Sequence, residues 1–183
     1  MYKLVLLRHG ESLWNRDNIF TGWTDIGLSD FGKIQSKKAG KILKENNFIF
    51  DKAFTSVLKR ATQTLEIVLD EMGQSNILIE KAWQLNERHY GLLQGMDKQE
   101  AVKKFGMEQI MAWRRSFKEK PPHQSSAWCG GKPPALSKGD PPLTESLEDV
   151  CLRVVPYWEK EIVPCIMKGE RILISAHGNS LRA

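Results

Sequence analysis

Two short apolar runs, one near each end of the chain, both finish in a His-Gly pair. The run LVLL at residues 4–7 leads into RHGE at residues 8–11, and RILIS at residues 171–175 leads into AHGN at residues 176–179. A short apolar run before a glycine-containing turn predicts a buried strand that feeds a loop. Two matching junctions therefore predict two strands whose carboxyl ends carry the same chemical groups.

Short strands alternate with amphipathic helices between these two junctions. The pattern predicts strands at residues 3–7, 52–55, 77–83 and 171–175, and helices at 29–45, 56–72, 98–105, 107–117 and 146–162. This alternation is typical of an α/β fold with a mostly parallel sheet, and we expect a single domain over residues 1–183. Ligands of such sheets bind beyond the carboxyl ends of the strands, so both His-Gly turns are expected to meet in space.

The ends and faces of the helices carry local signals. Ser29 and Ser146 are suited to cap helix N-termini, and Ser56 is expected to begin the helix after the second strand. Pro156 should kink the last helix, and the proline-rich stretch at residues 118–142 predicts a long irregular loop. In the first long helix, five apolar side chains share the face expected to meet the core, namely Phe31, Ile34, Ala39, Ile42 and Leu43.

Length and composition limit the class of protein. A chain of 183 residues is long enough for one domain with a substantial core. It has no apolar stretch near the roughly 18 residues that span a membrane, and no signal peptide pattern at its start. Cys129, Cys151 and Cys165 show no C-x-x-C spacing, which favours reduced thiols in a cytoplasmic protein over a structural zinc site.

The charge balance favours an anionic partner. The net charge is +5 and the isoelectric point is about 9.1. The aromatic residues do not interleave with basic residues as they do in proteins that bind single-stranded nucleic acid. The cations instead fall in separate short motifs, which indicates one small convergent pocket and makes a nucleic-acid-binding module the weakest interpretation.

The first junction has the residue types that phosphoryl transfer needs. The imidazole of His9 is nucleophilic at neutral pH, and the guanidinium of Arg8 matches the planar array of phosphoryl oxygens. Gly10 would allow backbone N–H groups to approach an anion closely. A lone histidine after a strand is more often a solvated surface residue, but the second junction at His177 favours a shared site.

Several further blocks carry a resemblance to a known family. They are LRHGES at residues 7–12 with WN at 14–15, FTGW at 20–23, FTS at 54–56 with KRA at 59–61, LNERHYG at 85–91, WRRS at 113–116 and AHGNSLR at 176–182. The chain thereby resembles the cofactor-dependent phosphoglycerate mutases of the histidine phosphatase superfamily over essentially its whole length. The RHG element indicates only the superfamily, whereas the NERHYG and WRR blocks are much more specific to the mutases.

The resemblance implies a three-layer α/β/α fold and a set of catalytic roles. His9 would carry the phosphoryl group between substrate oxygens, and His177 would face the transferring phosphoryl group from the other side. Arg8 and Arg60 would clamp the same group, with Arg60 in the first turn of its helix. Glu87 would be the general acid/base for the substrate hydroxyl, although nearby cations would lower its pKa while burial would raise it.

The resemblance also implies a binding shell for the rest of the substrate. Arg88, Lys98, Arg114 and Arg115 are available for the second anionic end, although Arg114 and Arg115 would also suit a solvated helix face. The remaining ligand residues would be Gly10, Glu11, Ser12, Asn15, Thr21, Gly22, Tyr90, Gly178 and Asn179. His89 lies in the specific block, where a pocket role and a structural role are equally open.

The implied reaction interconverts 3-phosphoglycerate and 2-phosphoglycerate through phosphohistidine, in glycolysis and gluconeogenesis. Its substrates are small phosphorylated three-carbon acids, its priming phosphoryl donor is 2,3-bisphosphoglycerate, and no metal, nucleic acid or membrane is implied. A phosphatase or a bisphosphoglycerate synthase/phosphatase on the same scaffold is the nearest rival, and a non-catalytic binding protein is a rival of another class. The sequence leaves a monomer and a homo-oligomer open.

The chain departs from the family at its C-terminal end. Family members continue for several tens of residues beyond the second His-Gly turn, whereas this sequence ends at Ala183. In the family that continuation forms a helix, a further strand pair and a mobile tail, and the residues leave a natural short form, a fragment and an artefact of the sequence end open. Such a form is expected to leave the phosphoenzyme more open to water, which is the condition that favours the phosphatase alternative.

Overall fold

The computed structural model describes residues 3–123 and 142–183, so most of the loop expected at 118–142, with Cys129, lies outside the described residues. The strands are β1 (Leu4–Arg8), β2 (Lys52–Thr55), β3 (Leu78–Lys81) and β4 (Ile172–Ala176). The helices are α1 (Leu13–Arg16), α2 (Asp30–Glu45), α3 (Lys59–Met72), α4 (Lys98–Phe105), α5 (Met107–Arg115), α6 (Leu147–Tyr157) and α7 (Val163–Met167). Two 3₁₀ turns (Trp83–Leu85, Gly91–Leu93) and a π-helical turn (Trp158–Ile162) complete the secondary structure of these residues.

The four strands form one parallel sheet in the order β1-β4-β2-β3. This confirms the predicted α/β class and parallel sheet. Strand β4 lies between β1 and β2, and its register with β1 places Arg8 opposite Ala176. The two strands therefore end side by side, and both His-Gly turns leave the same edge of the sheet.

Helices cover both faces of the sheet, and the alternation of side chains along each strand decides which helix each residue meets. On one face, Ala53 and Leu173 pack with Leu65, Val68 and Leu69 of α3. On the other face, alternate strand residues pack against the π-helical turn and α7, in a cluster that contains Phe54, Ile172, Ile174, Ile162 and Cys165. The result is a three-layer arrangement in which β4 is buried throughout and β1 forms an edge.

The apolar face predicted for α2 is wrong. Phe31, Ile34 and Ile42 are exposed, at 56%, 62% and 49%, while Ala39 and Leu43 only reach the edge of the core. The buried face instead carries the small residues Gly32, Ser36 and Gly40.

Close approach of neighbouring backbone is the physical reason for this small-residue face. A Cβ atom on Gly32 would lie 2.0 Å from the Glu11 carbonyl oxygen, and one on Gly40 would lie 2.8 Å from the Cβ of Glu71 in α3. Helix α2 can therefore pack closely only through residues that have little or no side chain.

The predicted caps at Ser29 and Ser146 are confirmed, because each hydroxyl accepts a backbone N–H in the first turn of its helix. Helix α3 begins later than expected, at Lys59, and Ser56 lies in the preceding turn. Pro156 remains inside α6, and the chain passes into the π-helical turn directly after it, where the sequence predicted a kink. None of the helices in residues 3–123 and 142–183 combines the length and the apolar character needed to cross a membrane.

The packing of α2 predicts that a change at a small residue lowers the free energy of unfolding more than the loss of a large apolar side chain does. Gly32→Ala should lower the free energy of unfolding by about 1–3 kcal/mol, since the added methyl group collides with the Glu11 backbone. Ile34→Ala removes a larger but exposed side chain, and should change that free energy by less than about 0.5 kcal/mol. Urea unfolding of both variants would measure the difference, and a larger loss for Ile34→Ala would contradict the assigned face.

Candidate active site

The first His-Gly turn holds His9 at the carboxyl end of β1, with its side chain almost fully buried. Its backbone N–H donates to the Ala176 carbonyl at 3.0 Å, and its ring Nδ1 lies 2.6 Å from the Gly10 carbonyl. A carbonyl oxygen only accepts hydrogen bonds, so Nδ1 carries the proton and the lone pair is on Nε2. Burial, followed by the positive charge of Arg60, lowers the pKa of His9 to about 3. His9 is therefore a neutral imidazole whose Nε2 lone pair is available for nucleophilic attack.

The second His-Gly turn brings His177 beside it. The two imidazole rings are 4.9 Å apart between centroids, at an interplanar angle of 57°. His177 is fully buried and its Nε2 lies 2.7 Å from the hydroxyl of Ser56, while its Nδ1 has no hydrogen-bond partner. Burial, followed by the positive charge of Arg60, holds the pKa of His177 well below its usual value. In the ligand-free protein His177 is thus a neutral ring whose Nε2 is engaged by Ser56.

Ser56, which the sequence predicted only as a helix start, contacts His177. Its hydroxyl bonds His177 and also accepts the Leu58 N–H at the beginning of α3. The signal available in the sequence was its place directly after β2, because the carboxyl ends of parallel strands share one edge of the sheet.

Arg60 enters the site from the first turn of α3, as predicted. Its side chain is buried and donates to the carbonyls of Gly22 and Thr24, at 2.7 and 3.0 Å. Burial lowers the pKa of Arg60 to about 10, while the charge of Glu87 opposes that change. The guanidinium stays charged at neutral pH and is fixed by two backbone carbonyls, so it can receive an anion without first moving.

Glu87 lies on the loop between the two 3₁₀ turns. Its Oε1 accepts the backbone N–H of Arg88 and both the backbone and side-chain N–H groups of Asn179, the latter at 2.7 Å. The side-chain amide of Asn179 also donates to the Tyr90 hydroxyl, at 3.2 Å. The second His-Gly turn therefore holds the carboxylate as well as His177.

His9, Arg60 and Glu87 line a cavity of about 150 Å³, whereas His177, Ser56 and Asn179 are not part of its lining. Its lining residues are Arg8, His9, Asn15, Ile19, Phe20, Thr21, Gly22, Arg60, Glu87, Tyr90, Lys98 and Arg114. Four cationic side chains and a single carboxylate give the lining a positive balance, and burial together with Arg114 lowers the pKa of Lys98. The volume lies below the roughly 300–1,000 Å³ of sites for drug-sized ligands, so the cavity suits a small anion.

Three predicted ligand residues next to His9 have contacts elsewhere. The Gly10 N–H donates to the hydroxyl of Thr64, and a Cβ atom on Gly10 would lie 2.4 Å from the Gly32 carbonyl. Gly10 is therefore required for packing against α2, and its N–H is not the free anion donor that the sequence analysis expected. Glu11 accepts the Ser29 hydroxyl, and Ser12 caps α1 through Asn15, so neither side chain lines the cavity.

The remaining predicted residues divide between the cavity and its supporting layer. Arg114 lines the cavity, whereas Arg115 is exposed on the outer side of α5. Arg88 is buried over the Tyr90 ring and donates to the Arg114 carbonyl, and His89 packs against Trp23 behind the loop. Gly178 lies beside Arg8, where a Cβ atom would be 4.0 Å from the arginine Nε.

Known proteins of similar sequence and structure include phosphoglycerate mutases. The family model of the histidine phosphatase superfamily (branch 1) matches residues 4–183. A 2,3-bisphosphoglycerate-dependent phosphoglycerate mutase of Hamiltonella defensa subsp. Acyrthosiphon pisum (strain 5AT) is 51% identical, over 99% of this chain and 75% of the relative. The same-named protein of Blochmanniella pennsylvanica (strain BPEN) is 50% identical, over 99% and 81%. A crystal structure of phosphoglycerate mutase from Bacillus anthracis str. Sterne shares the fold, with a TM-score of 0.70 at 21% identity over 96% of this chain and 74% of that one.

The environment of His9 predicts an unusual titration. In the ligand-free protein its ring should stay neutral from pH 8 down to about pH 4, because burial and Arg60 oppose protonation. The unfolded chain binds that proton near pH 6.5, so the free energy of unfolding should fall as the pH drops from about 6.5 toward 3. Nitrogen-15 NMR of labelled histidine, with His9→Gln to assign the signal, would measure the titration. A midpoint near 6.5 for His9 would contradict the buried, neutral state.

Proposed function

The chain belongs to the histidine phosphatase superfamily, and within it we propose a phosphoglycerate mutase that interconverts 3-phosphoglycerate and 2-phosphoglycerate through phosphohistidine. The observation that carries the proposal is the lining of the cavity, where a neutral histidine with an available Nε2 lies among four cationic side chains. The identity of about 50% to two named mutases over nearly the whole chain supports the same reaction.

The cations suit a substrate with two anionic ends. Arg8 and Arg60 lie beside His9 and would hold the phosphoryl group that is transferred. Lys98 and Arg114 are contributed by α4 and α5, and would bind the carboxylate or the second phosphate. A three-carbon acid with a phosphate at one end and a carboxylate at the other would thus meet a cation at both ends.

The priming donor named for the relatives, 2,3-bisphosphoglycerate, fits the same donor set, because its extra phosphate would face the cations that otherwise bind a carboxylate. When bound, this compound would supply the phosphoryl group that His9 carries. Arg8 and Arg60 lie in the same lining as His9 and would hold that phosphoryl group during the transfer.

In the proposed phosphoryl transfer, different groups of the site perform the successive steps. Nε2 of His9 attacks phosphorus, and the bond between phosphorus and the substrate oxygen breaks. Arg60 would stabilise the charge on the phosphoryl oxygens, and we propose that His177, whose ring lies beside that of His9, adds a hydrogen bond to them. Glu87 gives a proton to the departing substrate oxygen, and removes one when the other hydroxyl attacks the phosphohistidine. The same chemistry with water as the acceptor would make the protein a phosphatase.

Phosphorus-31 NMR with 3-phosphoglycerate and catalytic 2,3-bisphosphoglycerate tests the proposal. The unmodified chain should accumulate 2-phosphoglycerate with little inorganic phosphate, and His9→Ala should abolish both this reaction and the acid-labile phosphoenzyme. His123→Ala, which changes an exposed histidine, should behave as the unmodified chain. Inorganic phosphate as the main product would establish a phosphatase instead, and an undiminished phosphoenzyme signal in His9→Ala would exclude His9 as the nucleophile.

The two adjacent arginines of α5 should differ in effect. Arg114→Ala should raise KM for 3-phosphoglycerate about 10- to 100-fold, because a hydrogen bond between charged groups contributes about 1.5–3 kcal/mol. Arg115→Ala is the matched control and should leave KM nearly unchanged, since that side chain lies outside the cavity lining. Steady-state kinetics of both variants would measure the difference in KM. An equal change in KM for the two variants would contradict the assignment of Arg114 alone to the substrate site.

A further inference from the structure

We propose that the buried ion pair between Glu145 and Arg153 is a positioning device for Glu87, a role that rests on the acid/base function proposed for that carboxylate. The pair lies outside the cavity lining and touches no reacting group. It joins helix α6 to the loop that carries Glu87, and its atoms are directed at the backbone of that loop.

All five N–H groups of Arg153 are engaged. Two form a bidentate pair with the Glu145 carboxylate, at 2.7 and 2.9 Å. The other three donate to the backbone carbonyls of Gln84, Asn86 and Glu87. A guanidinium has a rigid planar array of donors, so these bonds fix the relative positions of three successive parts of the loop.

Glu145 completes the attachment from the other side. Its Oε2 accepts the backbone N–H of His89 at 2.8 Å, and its own N–H donates to the His89 carbonyl at 2.9 Å. The side chains of Arg153 and Glu145 are only 8% and 4% exposed, so solvent contributes little to these contacts. The loop is therefore held to α6 at both ends of the Glu87 segment.

The main chain of Glu87 has no regular secondary structure to define it. Its carbonyl oxygen accepts from Arg153 and from the indole Nε1 of Trp23, while its carboxylate is bound by Asn179. Trp23 in turn lies under the Arg153 guanidinium, 5.7 Å from ring centroid to Cζ. The direction in which the carboxylate enters the cavity is thus set by side chains from distant parts of the sequence.

Stability alone does not require such a pair. Hydrophobic residues of similar volume often replace a buried ion pair without loss of stability, because desolvation offsets the attraction between the charges. Three hydrogen bonds from Arg153 and two through Glu145 reach the same loop. Together they define the geometry of the loop, which a proton-transferring carboxylate needs.

If Arg153 and Glu145 position Glu87, their loss should affect two kinds of phosphoryl donor differently. A substrate alkoxide is a poor leaving group and needs a proton from a correctly placed Glu87, whereas p-nitrophenolate departs without one. Displacement of Glu87 should therefore slow the transfer from phosphoglycerates to His9 and leave the transfer from p-nitrophenyl phosphate intact. General disruption of the site would slow both transfers.

The experiment measures phosphorylation of His9 in single turnovers with 2,3-bisphosphoglycerate and with p-nitrophenyl phosphate. Arg153→Lys keeps the charge beside Glu145 but cannot bond three carbonyls, and it should slow the first reaction about 100-fold while the second changes by less than about threefold. The double variant Arg153→Met/Glu145→Gln removes both charges together and should give the same pattern, should Arg153→Lys fail to fold. Arg171→Lys is the matched control, because Arg171 forms a similar bidentate pair with Asp51 at the opposite end of β4, and both rates should stay unchanged.

A loss of equal size with both donors, in variants whose thermal unfolding confirms a folded state, would overturn the positioning role. Failure of the mutase proposal would look different. If the unmodified chain releases inorganic phosphate rather than 2-phosphoglycerate, the same dependence on the donor would still support the positioning of Glu87. If the unmodified chain phosphorylates His9 from neither donor, both proposals would be overturned.

Discussion

The parallel pairing of β1 with β4 is the constraint on which the site depends. Because Arg8 lies opposite Ala176, the residues that follow these positions leave the sheet as neighbours, and a backbone hydrogen bond from His9 to Ala176 joins the two turns. The imidazoles of His9 and His177 consequently lie 4.9 Å apart although they are separated by most of the chain. A shift of one residue in this register would point one of the two side chains to the opposite face of the sheet.

Burial and positive charge act together on the groups around this pair. Desolvation keeps both histidines neutral, while hydrogen bonds to the carbonyls of Gly22 and Thr24 hold the Arg60 guanidinium in a fixed position. A neutral nucleophile beside fixed cations is the combination that attack on an anionic phosphoryl group requires, since a protonated imidazole has no lone pair to donate. The proposed nucleophile and the cations proposed to bind the anion thus belong to one cluster of residues.

The wall opposite the two turns consists mainly of loops and short helices. A separate apolar cluster of Phe20, Leu93, Ala101, Ile110 and Trp113 supports it and fixes α4 and α5 beside the cavity. Gly22 illustrates how closely the parts fit, because its φ of +53° and the adjacent side chain of Gln94 leave no room for a Cβ atom. Tertiary contacts rather than extended secondary structure therefore give this wall its shape.

The sequence by itself determined the class of fold, the strands, the helix caps at Ser29 and Ser146 and the family, because strand runs, capping residues and the His-Gly blocks are local signals. Ten of the twelve described residues that line the cavity were candidates from the sequence, while Ile19 and Phe20 were not; the catalytic roles remain predictions. Only the tertiary structure decided that α2 packs through Gly32 and Gly40, that Ser56 bonds His177, and that Arg114 rather than Arg115 faces the cavity. Each of these depends on atoms brought together from distant parts of the chain or on the direction in which a packed helix faces, and no local pattern of residues encodes either.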